Sequence, residues 1–421
     1  MTNLGIQDSF NRETCRLCDS KRLDSVIELA STPPGNHFRT SRELQEIQKC
    51  YPLELRLCLD CSHIQLGHVV DPRILYQQDY SYVSGTSSVF VEHLREYAES
   101  SIRRLGLSPG DLVIDIGSND GTALKFFQEK GCRVLGVDPA ENIAETATAN
   151  GIETIPNFFG ENIAREIKNQ FGHAKLVTSH NACAHIDDLS DVIRGVQNLL
   201  SEDGRFVFEV GYFVDVFENV WFDTIYHEHL DYHTVAPLIP FFAKFNMQLL
   251  SVERIRPQGG SIRVTTGKIC DDRAPHDISV EELVVVEEKL GVGDPATLRN
   301  FQRHIDGVRD DLVTLVKKLR SSGKSIVGYG APTKATTLLS YFQLGEGILE
   351  FIVDDNPLKQ HLFSPGHYIP VLKADEIYTY KPDYVLILAW NFAERIMEKH
   401  DLYRQQGGRF IVPMPTPLIV E

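Results

Sequence analysis

Asp111-Leu-Val-Ile-Asp115-Ile-Gly117-Ser118-Asn119-Asp120-Gly121-Thr122 sets an apolar strand directly before a glycine turn, and the turn runs into a helical stretch from Ala123 to Gly131. Strand, close-approach turn and helix start together open an α/β sheet with a ligand at its carboxyl edge. The turn lacks the G-x-G-x-x-G of dinucleotide binders, and the missing glycines argue against a pyrophosphate cradle. A second strand, Arg133 to Asp138, ends about 20 residues on in a carboxylate that can accept both hydroxyls of a ribose. A third, Leu176 to His180, leads into the loop Asn181-Ala-Cys-Ala-His185-Ile186 at the same edge, where His185 either faces a ligand or caps the next helix. Arg205 to Val210 continues the sheet, and Gln248–Arg254 with Ser261–Thr266 reads as a hairpin through Gln258-Gly259-Gly260.

Working outward, the pattern turns helical at about Ser279 to Leu290 and Pro295 to Arg320, then repeats strand, glycine turn and helix start as Lys324-Ser-Ile-Val-Gly328-Tyr329-Gly330-Ala331-Pro332-Thr333-Lys334. Main-chain N–H groups at that helix start, together with Lys334, can hold a phosphate. Ile348 to Asn356, Tyr384 to Leu388 and Arg409 to Val412 supply further parallel strands, so the chain carries two nucleotide-type folds. Ahead of both lie Cys15-x-x-Cys18 and Cys58-x-x-Cys61, two knuckles with 39 residues between them. Four thiolates in that arrangement indicate a closed, structural Zn²⁺ site, with redox dithiols as the competing reading. Cys50, Cys132, Cys183 and Cys270 have no partner at ligand spacing and read as packing residues. Asp79 to Thr86 either caps the helix expected from Ser87 to Arg104 or lays its tyrosines over a ligand of the next domain.

Bulk properties exclude other classes. A chain of 421 residues, 42% hydrophobic and 24% charged, exceeds what one core supports and divides into domains. A net charge of −16 without a Lys/Arg stripe argues against nucleic acid as partner. No run reaches the roughly 18 apolar residues of a membrane span, and Met1 to Glu13 lacks the apolar stretch of a signal peptide, which makes the cytoplasm the expected compartment.

One stretch stands apart. Thr224-Ile-Tyr226-His227-Glu228-His229-Leu-Asp231-Tyr232 gathers tyrosines, histidines and carboxylates able to remove a proton from carbon, hold an anion or bind a metal. A polar surface turn and a His227-x-His229 metal site are its alternatives.

The strand ends at Gly117 and Asp138 resemble motifs of S-adenosylmethionine-dependent methyltransferases. Taken with the double C-x-x-C head, Asn181-x-x-Ala-His-Ile, Tyr226-His-Glu-His-Leu, Pro257-Gln-Gly-Gly-Ser-Ile-Arg263, Gly328-Tyr-Gly-Ala-Pro-Thr-Lys334 and Val353-Asp-Asp-Asn-Pro-Leu-Lys-Gln-His361, the chain resembles the nucleotide-sugar C-methyltransferases, which methylate carbon 3 of 4-keto deoxysugars. Pro332 departs from the pattern at a helix first turn, where proline is tolerated. The resemblance implies a zinc-binding domain at residues 1–75, a methyltransferase domain at 76–269 and a Rossmann-like domain at 270–421. It implies cofactor contacts from Ser84, Asp115, Gly117, Ser118, Asn119, Asp138 and Asn181. For the nucleotide sugar it points to Gly260, Ser261, Arg263, Tyr329, Gly330, Ala331, Lys334, Asp354 and Lys359.

A ketone at C4 acidifies the hydrogen on C3, so a base can make the enolate that takes a methyl from S-adenosyl-L-methionine. His229 is the expected base, with Glu228 orienting it or relaying the proton. Tyr226 and His185 donate to the oxyanion, and Tyr80 closes over the centre. His227 is expected to be structural. The donor is a dTDP-, GDP- or CDP-linked 4-keto sugar, and a monomer suffices. Methyl transfer to a sugar oxygen or amine, and an NAD-dependent sugar oxidoreductase, are the rival readings.

Overall fold

The computed structural model describes residues 8–76, 83–269, 277–345 and 347–421. The Tyr80 expectation, the first half of the Asp79–Thr86 segment and Cys270 lie outside them.

Continuous apolar runs make buried strands, and Leu112–Ile116 is buried at all five positions. It sits inside a seven-stranded sheet in the order Met247–Ile255, Ser261–Lys268, Leu200–Gly211, Ala174–His180, Leu112–Ile116, Arg133–Val137, Thr154–Ile155. The last five strands are parallel, and the expected hairpin forms the antiparallel edge. From Leu112–Ile116 the chain first runs outward to Thr154–Ile155 and then returns to the other side. Strand order therefore reverses beside Gly117, where a crevice opens in sheets of this kind.

A six-stranded sheet forms in the order Val371–Lys373, Ile352–Asp354, Ile326–Tyr329, Tyr384–Ile387, Arg409–Val412, Leu418–Val420, parallel except for its last strand. The helix Pro295–Ser321 leads into it, capped by Asp294 on Thr297 N at 2.8 Å. Its buried stripe of Leu298, Phe301, Ile305, Val308, Leu312 and Val316 keeps helical spacing. At the N-terminal end, Leu23–Thr32, Tyr51–Cys58 and Ile64–Leu66 form an antiparallel sheet whose fourth strand, Asp231–Tyr232, comes from the stretch singled out above.

Within the seven-stranded sheet, Glu209 is 2% exposed and accepts from His93 Nε2 at 2.7 Å, His180 Nδ1 at 3.1 Å and Arg263 Nε at 2.7 Å. Burial alone would raise its carboxyl, but the hydrogen bonds from His180 and His93 hold it well below the usual range. Cys132 and Cys183 are buried packing residues, whereas Cys50 is exposed, so the packing reading fails there.

Glu209→Ala leaves Arg263 and His180 without their counter-charge and is expected to cost about 3–5 kcal/mol in urea unfolding at pH 7. A depressed carboxyl stabilises above its unfolded value of about 4.3 and ceases to as pH falls through the folded value. The gap between wild type and variant should therefore narrow on acidification, and a constant gap would contradict the assignment.

Candidate active site

The glycine turn after Leu112–Ile116 is shaped by contacts that admit no side chain. Gly117 has φ 72°, and a Cβ there would stand 2.5 Å from the Ala182 Cβ. The turn thus lies directly against the loop that carries His185. Asn119, at φ 51°, donates its N–H to Asp138 Oδ2 at 2.8 Å and accepts from Ser84 N at 2.8 Å, while Gly85 N reaches Asp120 Oδ2 at 3.0 Å. Asp138 also accepts from Ala140 N at 2.9 Å through its other oxygen. Ser84, Asp115, Gly117, Ser118, Asn119, Asp138 and Asn181 are therefore gathered at one strand edge. Burial lifts the Asp115 carboxyl to about 7.

The Tyr226–Tyr232 stretch is no surface turn. His229 Nδ1 meets the Thr224 carbonyl at 2.9 Å, which fixes the ring with its proton on that nitrogen. Nε2, left as acceptor, takes the Tyr226 hydroxyl at 2.8 Å. Burial pulls His229 down to about 4, so the imidazole is neutral near pH 7. The His185 ring lies 5.0 Å from it, centroid to centroid, with a buried Nε2 that has no partner among the described residues. Tyr76 stacks on His185 at 5.9 Å and donates its hydroxyl to the Glu228 carbonyl at 3.2 Å. Glu228 is 5% exposed, and burial raises its carboxyl to about 7 against the opposing pull of Asn36 and Lys359. His227 turns away, as expected, to the Tyr51 carbonyl at 3.2 Å.

The four cysteines Cys15, Cys18, Cys58 and Cys61 converge with their sulfurs all within 4.8 Å. Cys15 and Cys61 sulfurs are 3.6 Å apart, Cys18 and Cys58 3.4 Å. A tetrahedral Zn²⁺ with bonds of about 2.3 Å sets its sulfurs about 3.8 Å apart, so the cage matches the ion.

Comparison with known proteins fits each part. The chain matches family models of a zinc binding domain at residues 15–76, a methyltransferase domain at 90–252 and a C-methyltransferase C-terminal domain at 256–415. It is 35% identical over 410 residues, 97% of each chain, to the C-methyltransferase NovU of Streptomyces niveus. The chain belongs to the C-methyltransferase family. An uncharacterized methyltransferase of Schizosaccharomyces pombe shares 30% identity over 128 residues, 28% of this chain and 47% of its own. The magnesium protoporphyrin IX methyltransferase of Synechocystis, solved with bound cofactor, is 15% identical over 45% of this chain and 86% of its own, at a TM-score of 0.32.

The enzyme is thus an S-adenosyl-L-methionine-dependent C-methyltransferase with a zinc-binding head, and the O-methyl, N-methyl and NAD-dependent readings give way. The turn fits the cofactor on its own evidence of unmet bonding. Asp115 Oδ1 and Ser118 Oγ are buried with no partner among the described residues, and a ligand bearing an ammonium and hydroxyls supplies what they lack. No helix among the described residues is long and apolar enough to cross a membrane.

Several expected roles move. Glu228 does not touch His229; the Thr224 carbonyl orients that ring, and Glu228 instead accepts from Asn36 Nδ2 at 2.9 Å. Arg263 spends its guanidinium on Glu209 inside the sheet. Tyr329 is 2% exposed with its hydroxyl on His400 at 2.8 Å and Asp355 at 3.1 Å. At the second glycine turn, Asp354 itself accepts from Ala331 N at 2.5 Å and Asn356 N at 2.7 Å, filling the place expected for phosphate. Gly330, at φ 90°, packs on Ala389. Lys334 Nζ lies 3.4 Å from the Trp390 ring centroid and bonds Asn391 at 2.9 Å, and Lys359 Nζ bonds the Ala331 carbonyl at 2.8 Å. Gly260 presses on Asp215, and Ser261 Oγ meets the Pro257 carbonyl at 3.1 Å.

Sequence reasoning missed the residues that carry the catalytic stretch from outside. Arg16, inside the first knuckle, bonds Asp187 at 2.9 Å and the Leu66 and Leu230 carbonyls at 2.9 and 3.2 Å. Asp223 accepts from Trp390 Nε1 at 2.7 Å, and Ile225 O accepts from Thr337 at 2.8 Å. Only a residue sandwiched between zinc ligands, as Arg16 is, gave a local hint.

Cys58→Ser is expected to abolish zinc binding at the cysteine cage, read by metal analysis, and to lose at least about a hundredfold in turnover through displacement of the Asp231–Tyr232 strand. Calorimetry should still detect cofactor binding at the separate glycine turn. Full turnover in a zinc-free protein would contradict the link.

Proposed function

We propose that the enzyme methylates C3 of a nucleotide-linked 4-keto-6-deoxysugar through an enolate, in the making of a branched deoxysugar. The observation that carries this is the placement of a neutral, oriented imidazole and a tyrosine hydroxyl between the cofactor turn and the cationic second glycine turn. The motif order shared with the sugar C-methyltransferases supports the substrate class.

S-adenosyl-L-methionine, held by Ser84, Asp115, Gly117, Ser118, Asn119, Asp138 and Asn181, supplies an electrophilic methyl. His229 Nε2 takes the proton from C3, and the electron pair moves onto the C4 oxygen. The Tyr226 hydroxyl, displaced from Nε2, and His185 Nε2–H donate to that oxygen. Bound at the turn, the cofactor would give its methyl to the C3 carbanion and leave as the neutral thioether. Glu228, ionised and facing the ammonium of Lys359, is the acceptor to which the proton on His229 passes by way of bridging water, since the two side chains share no hydrogen bond. Burial keeps His229 neutral without any partner carboxylate, so every cycle starts with a free base. Lys334 and Lys359 give the second glycine turn the positive charge that a diphosphate requires, with Asp354 yielding the Ala331 N–H; Gly260 and Ser261 border the sugar.

Labelled cofactor with dTDP-, GDP- and CDP-linked 4-keto sugars tests the reading. The product should show a methyl on C3 by NMR. His229→Ala should bind cofactor yet lose about 10²–10⁴ in both methylation and C3 deuterium exchange. A variant that keeps either activity, or a methyl on oxygen or nitrogen, overturns the scheme.

The pH profile is a second check. Glu228 must be ionised, so kcat should climb through a limb near pH 7, while His229, at about 4, contributes none between pH 5 and 6.5. Glu228→Gln should lower kcat and abolish the limb; a limb that survives belongs to another group.

A further inference from the structure

Asn36 belongs to no motif with assigned chemistry, yet its carboxamide touches two separate folding units at once. Nδ2 donates to Glu228 Oε1 at 2.9 Å, and Oδ1 accepts from the Thr333 hydroxyl at 2.8 Å. These partners lie 192 and 297 residues away in sequence. Only this orientation of the amide gives an ionised Glu228 a donor; the flipped one sets oxygen against oxygen.

The turn that presents Asn36 is locked onto the C-terminal unit. Pro33 and Pro34 restrict its backbone, and Gly35 O accepts from the Thr336 hydroxyl at 3.3 Å. A Cβ at Gly35 would stand 2.6 Å from both the Thr333 carbonyl oxygen and its Cγ2, so the main chain is pressed against the second glycine turn. A carboxamide held on both sides loses little freedom on aligning its partners, as preorganisation requires.

We propose that Asn36 is a positioning residue for the methyl transfer: it holds the Glu228 carboxylate at the reacting centre and ties it to the Thr333 turn, so that seating of the nucleotide sugar and alignment of Glu228 are one event. The inference rests on the role given to Glu228 above. The groups around that carboxyl are the Lys359 ammonium, the Asn36 amide, the Tyr76 hydroxyl on its own carbonyl, and the neutral His227 and His229 on its own stretch. Of these, Asn36 and Lys359 favour the ionised form. Removing the amide therefore moves Glu228 ionisation to higher pH, and replacing it with a carboxylate moves it further.

Asn36→Ala should lower kcat tenfold or more, leave cofactor affinity by calorimetry within twofold, and shift the acid limb of kcat upward. Asn36→Asp should shift it more, and Thr333→Val less. A role in folding alone would lower the unfolding temperature and leave the limb in place. Carboxyl ¹³C NMR of Glu228, assigned by difference from Glu228→Gln, reads the same ionisation without turnover. If Glu228 titrates identically in wild type and Asn36→Ala, the inference is overturned. If the titration moves but wild type methylates no 4-keto sugar, the reaction assignment fails and the Asn36 contact stands.

Discussion

Four residues of β-pairing determine where the chemistry happens. Asp231 lies opposite Gln65 and Tyr232 opposite Ile64, so the end of the catalytic stretch is a strand of the zinc-bound sheet. Leu66 N donates to Leu230 O at 2.8 Å, and Arg16, between two cysteine ligands, grips the same carbonyl. His63 adds a 2.6 Å contact to the buried Asp231 carboxylate. A two-stranded contact this short has little stability of its own. What stiffens it is the cysteine cage, whose two knuckles meet at the one end of the sheet where Leu23 pairs with Cys58 and Leu57 with Ile64. A structural ion held by these four thiolates would thereby fix the strand in which the His229 stretch ends.

The opposite side of the stretch is held by different means. Asp223 and Ile225 take hydrogen bonds from Trp390 and Thr337, while Phe222 stacks on Phe342 at 4.9 Å. Trp221 stacks on Trp390 at 4.8 Å, and Lys334 covers the same indole ring. Residues 221–232 are therefore clasped between two units, and the seven-stranded sheet delivers them through Leu200–Gly211. No unit alone completes the site.

Elements with strong periodicity were legible in the sequence. Pro295–Ser321, the hairpin at Gly260, the parallel strands and both glycine turns follow from apolar spacing and turn residues alone. The cysteine cage followed from ligand spacing. What failed was pairing across the sequence. Glu228 and His229 are neighbours in the chain, which invites a contact, yet they sit in a tight turn closed by His229 N on the Tyr226 carbonyl, where Glu228 reaches the distant Asn36 and His229 bonds Thr224 and Tyr226 within its own stretch. Arg263 looked available for the nucleotide sugar because no local pattern shows that its strand register places it opposite Glu209. Asn36 sits in a segment readable as a turn, but where that turn docks is a tertiary fact.

Desolvation sets the acid–base character of the centre. His229 is neutral because charging a buried imidazole beside Lys334 is unfavourable, not because a carboxylate tunes it. A carboxylate bonded to that ring would have raised its affinity for protons and left it charged between turnovers. Glu228 goes to Asn36 and Lys359 instead, so the two titratable groups of the stretch sit in different surroundings. Burial then acts on them in opposite senses, holding the His229 imidazole at about 4 and lifting the Glu228 carboxyl to about 7. Both shifts come from the packing of three units around one turn, so the neutral imidazole and the raised carboxyl are consequences of how the fold closes.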